Sequence, residues 1–124
     1  ARALAALGLT PSTWHMNEGH SAFLLLERLR DLTAAGASLK DAQAKVKAES
    51  ILTIHTPVPA GNERFHVDHA TKVLAGLLEG SKLKIDEILA LGRDSEDDKE
   101  QFDLTGFALR HSRMANGVSL LHGE

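Results

Sequence analysis

Cysteine is absent from all 124 residues. That excludes a disulfide framework and any thiolate metal site, and it fits a reducing compartment such as the cytoplasm. No apolar run approaches the roughly 18 residues that would span a bilayer, and no signal peptide opens the chain, so no membrane partner is expected. Basic charge is not in excess either. Lys and Arg number 14 against 17 Asp and Glu, a net charge of -3, with no basic stripe, and nucleic acid is therefore not an expected partner. Three motifs are also missing. The chain has no Gly-x-Ser-x-Gly elbow, no phosphate-cradling Gly-rich loop ending in Lys-Ser or Lys-Thr, and no Gly-x-Gly-x-x-Gly. The hydrolase, kinase-like and dinucleotide-binding classes each lack the feature that defines them.

What is present suits one domain around one core. Residues 1–7 are helical, with Gly8 as C-cap. Residues 13–16 are a short strand. From Ser21, a candidate N-cap, the residues Ala22, Leu25, Leu26, Leu29 and Leu32 keep helical spacing until Gly36. Ser38 opens a second helix, with Asp41 three residues on and Leu39, Ala42 and Val46 as its apolar face. "SILTIHT" is the best strand, β-branched and ended by Pro57 and Pro59. Its unbroken apolar run predicts burial on both faces, as in a parallel sheet. "PVPAGNERFH" is a loop. Residues 67–79 are a helix, and Ile85, Ile88 and Leu89 mark another before Gly92. The charged run 93–101 is a solvated loop. Leu104, Phe107, Ala108 and Met114 mark the last helix, with Asn116-Gly117 as its C-cap, and 118–121 the last strand. Strands alternating with helices predict an α/β fold, a short parallel sheet flanked by helices. The first residues read as a helix already under way and the last stop after a strand-like run. The expectation is that residues 1–124 are an internal fragment of a larger protein.

Ligands in open α/β sheets gather beyond the carboxyl ends of the strands. The first strand delivers His15, Asn17, Glu18 and His20 there, the second His55, Thr56 and the loop 57–61, the third His122 and Gly123. Four histidines at strand ends are the main sign of a site. Asn-Glu-Gly-His is then its rim, where Gly19 would let a ligand approach the backbone. Each residue also has a plainer role open to it. His15 reads better as a satisfied core residue, His20 can bond a neighbouring loop, and Glu18 can cap its own helix. His55 gains from the rigid Thr-Pro-Val-Pro that follows it. His66 and His69 stand three apart, a spacing that can ligate metal on a helix. Two ligands away from a strand end are a weak signal, and no metal is expected.

"WHMNEGHSAFLLLER", "TIHTPVPAGNERF" and "FALRHSRMANGVSLLHGE" resemble, in order, three blocks of the α-glucan phosphorylases, the glycogen, starch and maltodextrin enzymes, and above all their short bacterial and archaeal branch. Glu63 stands where Asp is usual, Asp103-Leu104 where Asn-Met is usual, and Met114 where a basic residue is common. The resemblance implies a partial Rossmann-like domain of the two-domain glycosyltransferase (GT-B) fold, here a middle piece of the N-terminal domain. It implies retaining, reversible transfer of a glucosyl unit from an α-1,4-glucan to phosphate, giving glucose 1-phosphate, with pyridoxal phosphate acting through its phosphate group. His55 takes the place of a residue that bonds the 6-hydroxyl of the reacting glucose and turns its backbone carbonyl toward the sugar ring. Glu18 and His20 match pocket-lining positions beside that sugar, Asn17 a neighbour in the same turn, and Thr56 follows His55 into the cleft. The family's Schiff-base lysine and phosphate-holding cluster lie in its second domain. This chain is therefore expected to hold no cofactor and to be inactive alone. A sheet cut to three strands leaves apolar edges and faces uncovered, so the chain is expected to self-associate, and the parent is expected to be a homo-oligomer. The readings set against it are a non-catalytic carbohydrate-binding or scaffold module and a His-based metal hydrolase.

Overall fold

The structure, a computed structural model, describes residues 2–55, 64–79, 81, 83–92 and 101–117. In chain order, α1 (Arg2–Ala6) leads to β1 (Trp14–Asn17), and a 3₁₀ turn (Gly19–Ala22) runs directly into α2 (Phe23–Ala34). Then follow α3 (Leu39–Ala48), β2 (Ser50–Ile54), β3 (Arg64–His66), α4 (Val67–Leu78), α5 (Ile85–Leu91), β4 (Gln101–Asp103), α6 (Leu104–Arg110) and β5 (Met114–Gly117). Strands β1, β2 and β5 form a parallel sheet with β2 in the centre. The α/β class with a short parallel sheet flanked by helices is the one the alternation of patterns predicts.

The helical spacing of α2 places Leu25, Leu26 and Leu29 on one fully buried face. Met16 and Leu52, paired in register, meet that face from the sheet, and Ala42 and Val46 of α3 close it. Ser38 caps α3 as expected, its Oγ accepting from Asp41 N at 3.1 Å. Gly36, at φ +110°, ends α2 in a conformation that other residues rarely adopt. Near the chain start, Arg2 pairs with Glu27, and Arg28, paired with Glu49, lies 5.2 Å above the ring of Trp14.

Four local expectations are corrected. The last helix ends at Arg110, because the side chains of His111 and Ser112 turn back onto the carbonyls of Phe107 and Ala108, each at 2.8 Å. Met114, Asn116 and Gly117 belong not to that helix or its cap but to β5, where pairing with β2 outweighs the local pattern. Phe65 and its neighbours are not all loop, since β3 pairs antiparallel with β4, Phe65 opposite Phe102. That pairing joins residues far apart in the chain and is driven by burial of Phe102, so no local window contains it. Ser21 does not cap α2. Its Oγ donates to Glu18 O at 2.6 Å within the 3₁₀ turn. The central strand β2 has no exposed residue, as its apolar run predicts, whereas on the flanking strands His15, Asn17, Met114 and Asn116 are exposed. Most of the charged run 93–101 and the expected strand 118–121 lie outside the described residues.

Gly19 is buried against α6, and a Cβ there would sit 2.4 Å from Thr105 Oγ1. The close approach is thus to protein, not to a ligand. Gly19→Ala is expected to destabilise by about 1–3 kcal/mol through overpacking. Adding Thr105→Ala, which removes the clashing hydroxyl, should recover most of that loss in a chemical-denaturation series. Simple additivity of the two variants would contradict the contact.

His111 is buried, stacked on Phe107 with ring centroids 4.3 Å apart. Its Nδ1–H donates to Phe107 O, which leaves Nε2 to accept from the Gln43 amide at 3.1 Å. Burial lowers its affinity for a proton below the ordinary imidazole value, with Arg110 and Lys47 adding to the effect and the Phe107 bond opposing it. The unfolded chain then binds this proton at higher pH than the folded one. The contribution is complete above the ordinary imidazole range and declines as pH falls through it. Stability should therefore drop between about pH 7 and 5, and His111→Gln should flatten that slope. The Glu27 carboxyl, held below the usual carboxylate range by its hydrogen bond to Arg2, acts only at lower pH and leaves this window clear. An equal slope in wild type and variant would sink the assignment.

Candidate functional site at the carboxyl ends of the parallel strands

Parallel strands end together, so β1 and β2 bring Asn17, Glu18 and His55 to one edge of the sheet. His55 is the first residue after β2, and two neighbours from the β1 end hold it. The Glu18 carboxylate, through Oε1, accepts from the His55 backbone N–H. The Asn17 side-chain oxygen lies 3.3 Å from His55 Nε2. An amide oxygen can only accept, so Nε2 carries the proton and Nδ1 of the neutral ring is left as an acceptor, suited to a hydroxyl donor.

Glu18 itself is backbone-strained, with φ +64° and ψ 168°, the one non-glycine at positive φ among the described residues. Its N–H donates to Thr53 O at 2.8 Å, and its C=O accepts from Ser21. It does not cap its helix by side chain. His20 is exposed on the same turn. Thr56, the loop 57–61, His122 and Gly123 lie outside the described residues.

His15 is not a core residue. Alternation along β1 buries Met16 and turns His15 to the open face. There Thr53 Oγ1 donates to Asn116 Oδ1 at 2.9 Å and accepts from His15 Nε2–H at 2.7 Å, a polar ladder across all three strands. Thr53 and Asn116 escaped the sequence reading. The signal was available, because polar residues at alternate positions (His15 and Asn17, then Thr53, then Asn116) give a sheet one polar face. His66 is engaged elsewhere, its Nδ1 accepting from Asp68 N at 3.2 Å to cap α4. Among the described residues no group of three or more metal-ligating side chains converges.

A cleft of about 390 Å³ lies away from these strand ends, lined by Leu9, Pro11, Trp14, Arg28, Lys45 and Glu49 among others. Two of its basic groups, Arg28 and Lys45, pair with Glu49 of the same wall, whereas the strand-end cluster presents an oriented imidazole to solvent. Chemistry favours the latter.

No family model matches the chain. Individual proteins do. A glycogen phosphorylase of Mycobacterium tuberculosis is 43% identical over 123 residues, covering 92% of this chain. A maltodextrin phosphorylase of Thermococcus litoralis is 40% identical over 99% of it. A glycogen phosphorylase of Aquifex aeolicus is 30% identical over 98% of it. The chain spans 14% of the length of the first two relatives and 18% of the third. With identity at this level running along nearly the whole chain, and with the parallel-sheet fold behind it, the chain belongs to the glycogen and maltodextrin phosphorylase family, of whose members it represents one short segment.

Proposed function

We propose that this segment forms part of the glucosyl-binding wall of an α-1,4-glucan phosphorylase. The observation that carries the reading is the fixed His55, its peptide held by Glu18 and its ring by Asn17 at the carboxyl edge of a parallel sheet. In the reaction, phosphate displaces the glucan chain from the terminal glucosyl unit, giving glucose 1-phosphate and a glucan one residue shorter. His55 takes the 6-hydroxyl of that unit as acceptor, and its backbone carbonyl faces the ring carbon on which positive charge develops. Asn17 and Glu18 keep the imidazole and the peptide from reorienting as the sugar arrives. His20 is assigned to the same wall, and Thr56 is assigned a sugar-binding role from the family resemblance alone.

Pyridoxal phosphate, the cofactor the family resemblance brings, supplies acid–base chemistry through its phosphate group when bound. The residues of this chain do not fit it. No lysine or arginine stands among the described residues at the strand ends, and Lys40, Lys45 and Lys47 lie on α3. The cofactor is assigned to the rest of the enzyme, within a GT-B arrangement in the cytoplasm. The exposed His15, Asn17, Met114 and Asn116 on one face of the sheet support self-association of the chain alone, and the parent is read as a homo-oligomer.

The test is a pair of assays with maltodextrin and phosphate. The full-length protein carrying this segment should release glucose 1-phosphate when pyridoxal phosphate is present. The 124-residue chain, under the same conditions, should release none. Turnover by the pure chain would show that the catalytic machinery has been misplaced, and a full-length protein that only binds glucan would make this a carbohydrate-binding module.

A further inference from the structure

The geometry points to Glu18 as a positioning residue that acts through His55, not as a group that meets the sugar itself. The inference rests on the reading of His55 as sugar-facing.

Glu18 occupies a backbone region that is almost reserved for glycine. Three of the bonds that hold it there are made by its own peptide groups: N–H to Thr53 O, and C=O from the N–H and the hydroxyl of Ser21. Glycine would make all three without strain. What glycine cannot supply is the carboxylate, and the carboxylate has a specific use. The ladder between β1 and β2 runs to Asn17 opposite Thr53, and that between β2 and β5 runs to Ile54 opposite Gly117. His55 is thus one residue past the sheet, and its N–H would have no ladder partner. Glu18 Oε1 accepts that N–H and extends the order of the sheet by one peptide unit. Asn17 Oδ1 faces the ring of the same residue. Two consecutive residues of one strand end thereby fix both halves of His55, Glu18 its peptide and Asn17 its imidazole. The positive φ of Glu18 is the backbone conformation in which the side chain reaches across to β2.

Three substitutions separate this role from its rivals. Glu18→Gln keeps an oxygen that accepts the same N–H, Glu18→Ala loses the acceptor and keeps the strain, and Glu18→Gly loses the acceptor and relieves the strain. In the 124-residue chain, amide hydrogen exchange should show the His55 N–H protected in wild type and in Glu18→Gln, and exchanging about tenfold faster or more in Glu18→Ala and Glu18→Gly. Glu18→Gly should melt at a higher temperature than Glu18→Ala, the reverse of their usual order within an element. In the full-length enzyme, Glu18→Gln should lower kcat several-fold, and Glu18→Gly about tenfold further. Glu18→Ala and Glu18→Gly, which both lack the acceptor, should be equally impaired in kcat although they differ in melting temperature, a pattern that a structural role alone would not produce.

Either of two results overturns the proposal. One is a His55 N–H that exchanges freely in wild type. The other is Glu18→Gln as damaging as Glu18→Gly while the His55 N–H stays protected, which would make the charge itself the working part. If the exchange pattern holds but His55→Asn leaves turnover intact, the carboxylate anchor stands and the sugar-facing reading of His55 falls.

Discussion

His55→Asn in the full-length phosphorylase is expected to lower kcat/KM by roughly ten- to a hundredfold while leaving the fold intact. The imidazole is fixed by Asn17 at 3.3 Å and its peptide by Glu18, so on the proposed reading an incoming 6-hydroxyl would be met without loss of side-chain freedom. A buried hydrogen bond to a neutral partner contributes about 0.5–1.5 kcal/mol net, and an acceptor or donor left unpaired costs about 1–3 kcal/mol. Each 1.4 kcal/mol is about tenfold in rate. The backbone carbonyl of residue 55 survives the substitution, so activity falls without vanishing. His55 is exposed in this chain, and little packing is lost with the ring, so stability should move by less than about 0.5 kcal/mol. A 6-deoxyglucosyl substrate provides the control. If the 6-hydroxyl is the partner, wild type and variant converge on it. Unchanged turnover together with a melting temperature lowered by many degrees would make His55 a structural histidine.

Phe107→Ala carries the largest expected loss of stability, about 3–5 kcal/mol. Phe107 is fully buried, stacked on His111 and tilted against Phe102 with centroids 5.9 Å apart. It ties α6 to β4, and α6 in turn braces the 3₁₀ turn through Thr105 against Gly19. The cavity would therefore loosen the support beneath Asn17 and Glu18 as well as the core. For a chain of this length the loss corresponds to a melting temperature lower by about 10–20 °C. Phe107→Leu, which keeps most of the volume, should cost markedly less. A loss below about 1 kcal/mol for Phe107→Ala, measured by chemical denaturation, would mean that the α6 packing described here is not formed.

Local pattern carried much of the fold. The spacing of Leu25, Leu26 and Leu29 specified the buried face of α2 because a helix repeats every 3.6 residues and all its hydrogen bonds are internal. Ser38 with Asp41 marked a helix start, because a cap is a contact three residues long. The β-branched run at 50–54 gave the central strand for the same reason, a preference visible within its own few residues. The family blocks located Asn17, Glu18 and His55 by type and order, and the strand-end rule placed them at the carboxyl ends of β1 and β2, where they stand.

Other features depend on partners that no window of sequence contains. The pairing of β3 with β4 requires Phe65 and Phe102 to meet across 37 positions. The start of β5 at Met114 is set by β2, which offers ladder bonds that the helical spacing of Met114 cannot match. The burial of Gly19 against Thr105 came from how α6 packs on the 3₁₀ turn, so a glycine read as room for a ligand is room for a neighbour. His15 turned outward because alternation along β1 is phased by Met16, the residue the core selects. The sequence by itself determined that Asn17, Glu18 and His55 stand at the strand ends and which family the chain belongs to, because those properties reside in residue identity and short spacing. Only the tertiary structure decided that the Glu18 carboxylate reaches the His55 peptide, that Glu18 bears a glycine-like backbone to do so, and that His15, Thr53 and Asn116 form one ladder. Hydrogen bonds between strands depend on register and direction, and those are fixed when the sheet assembles around its core.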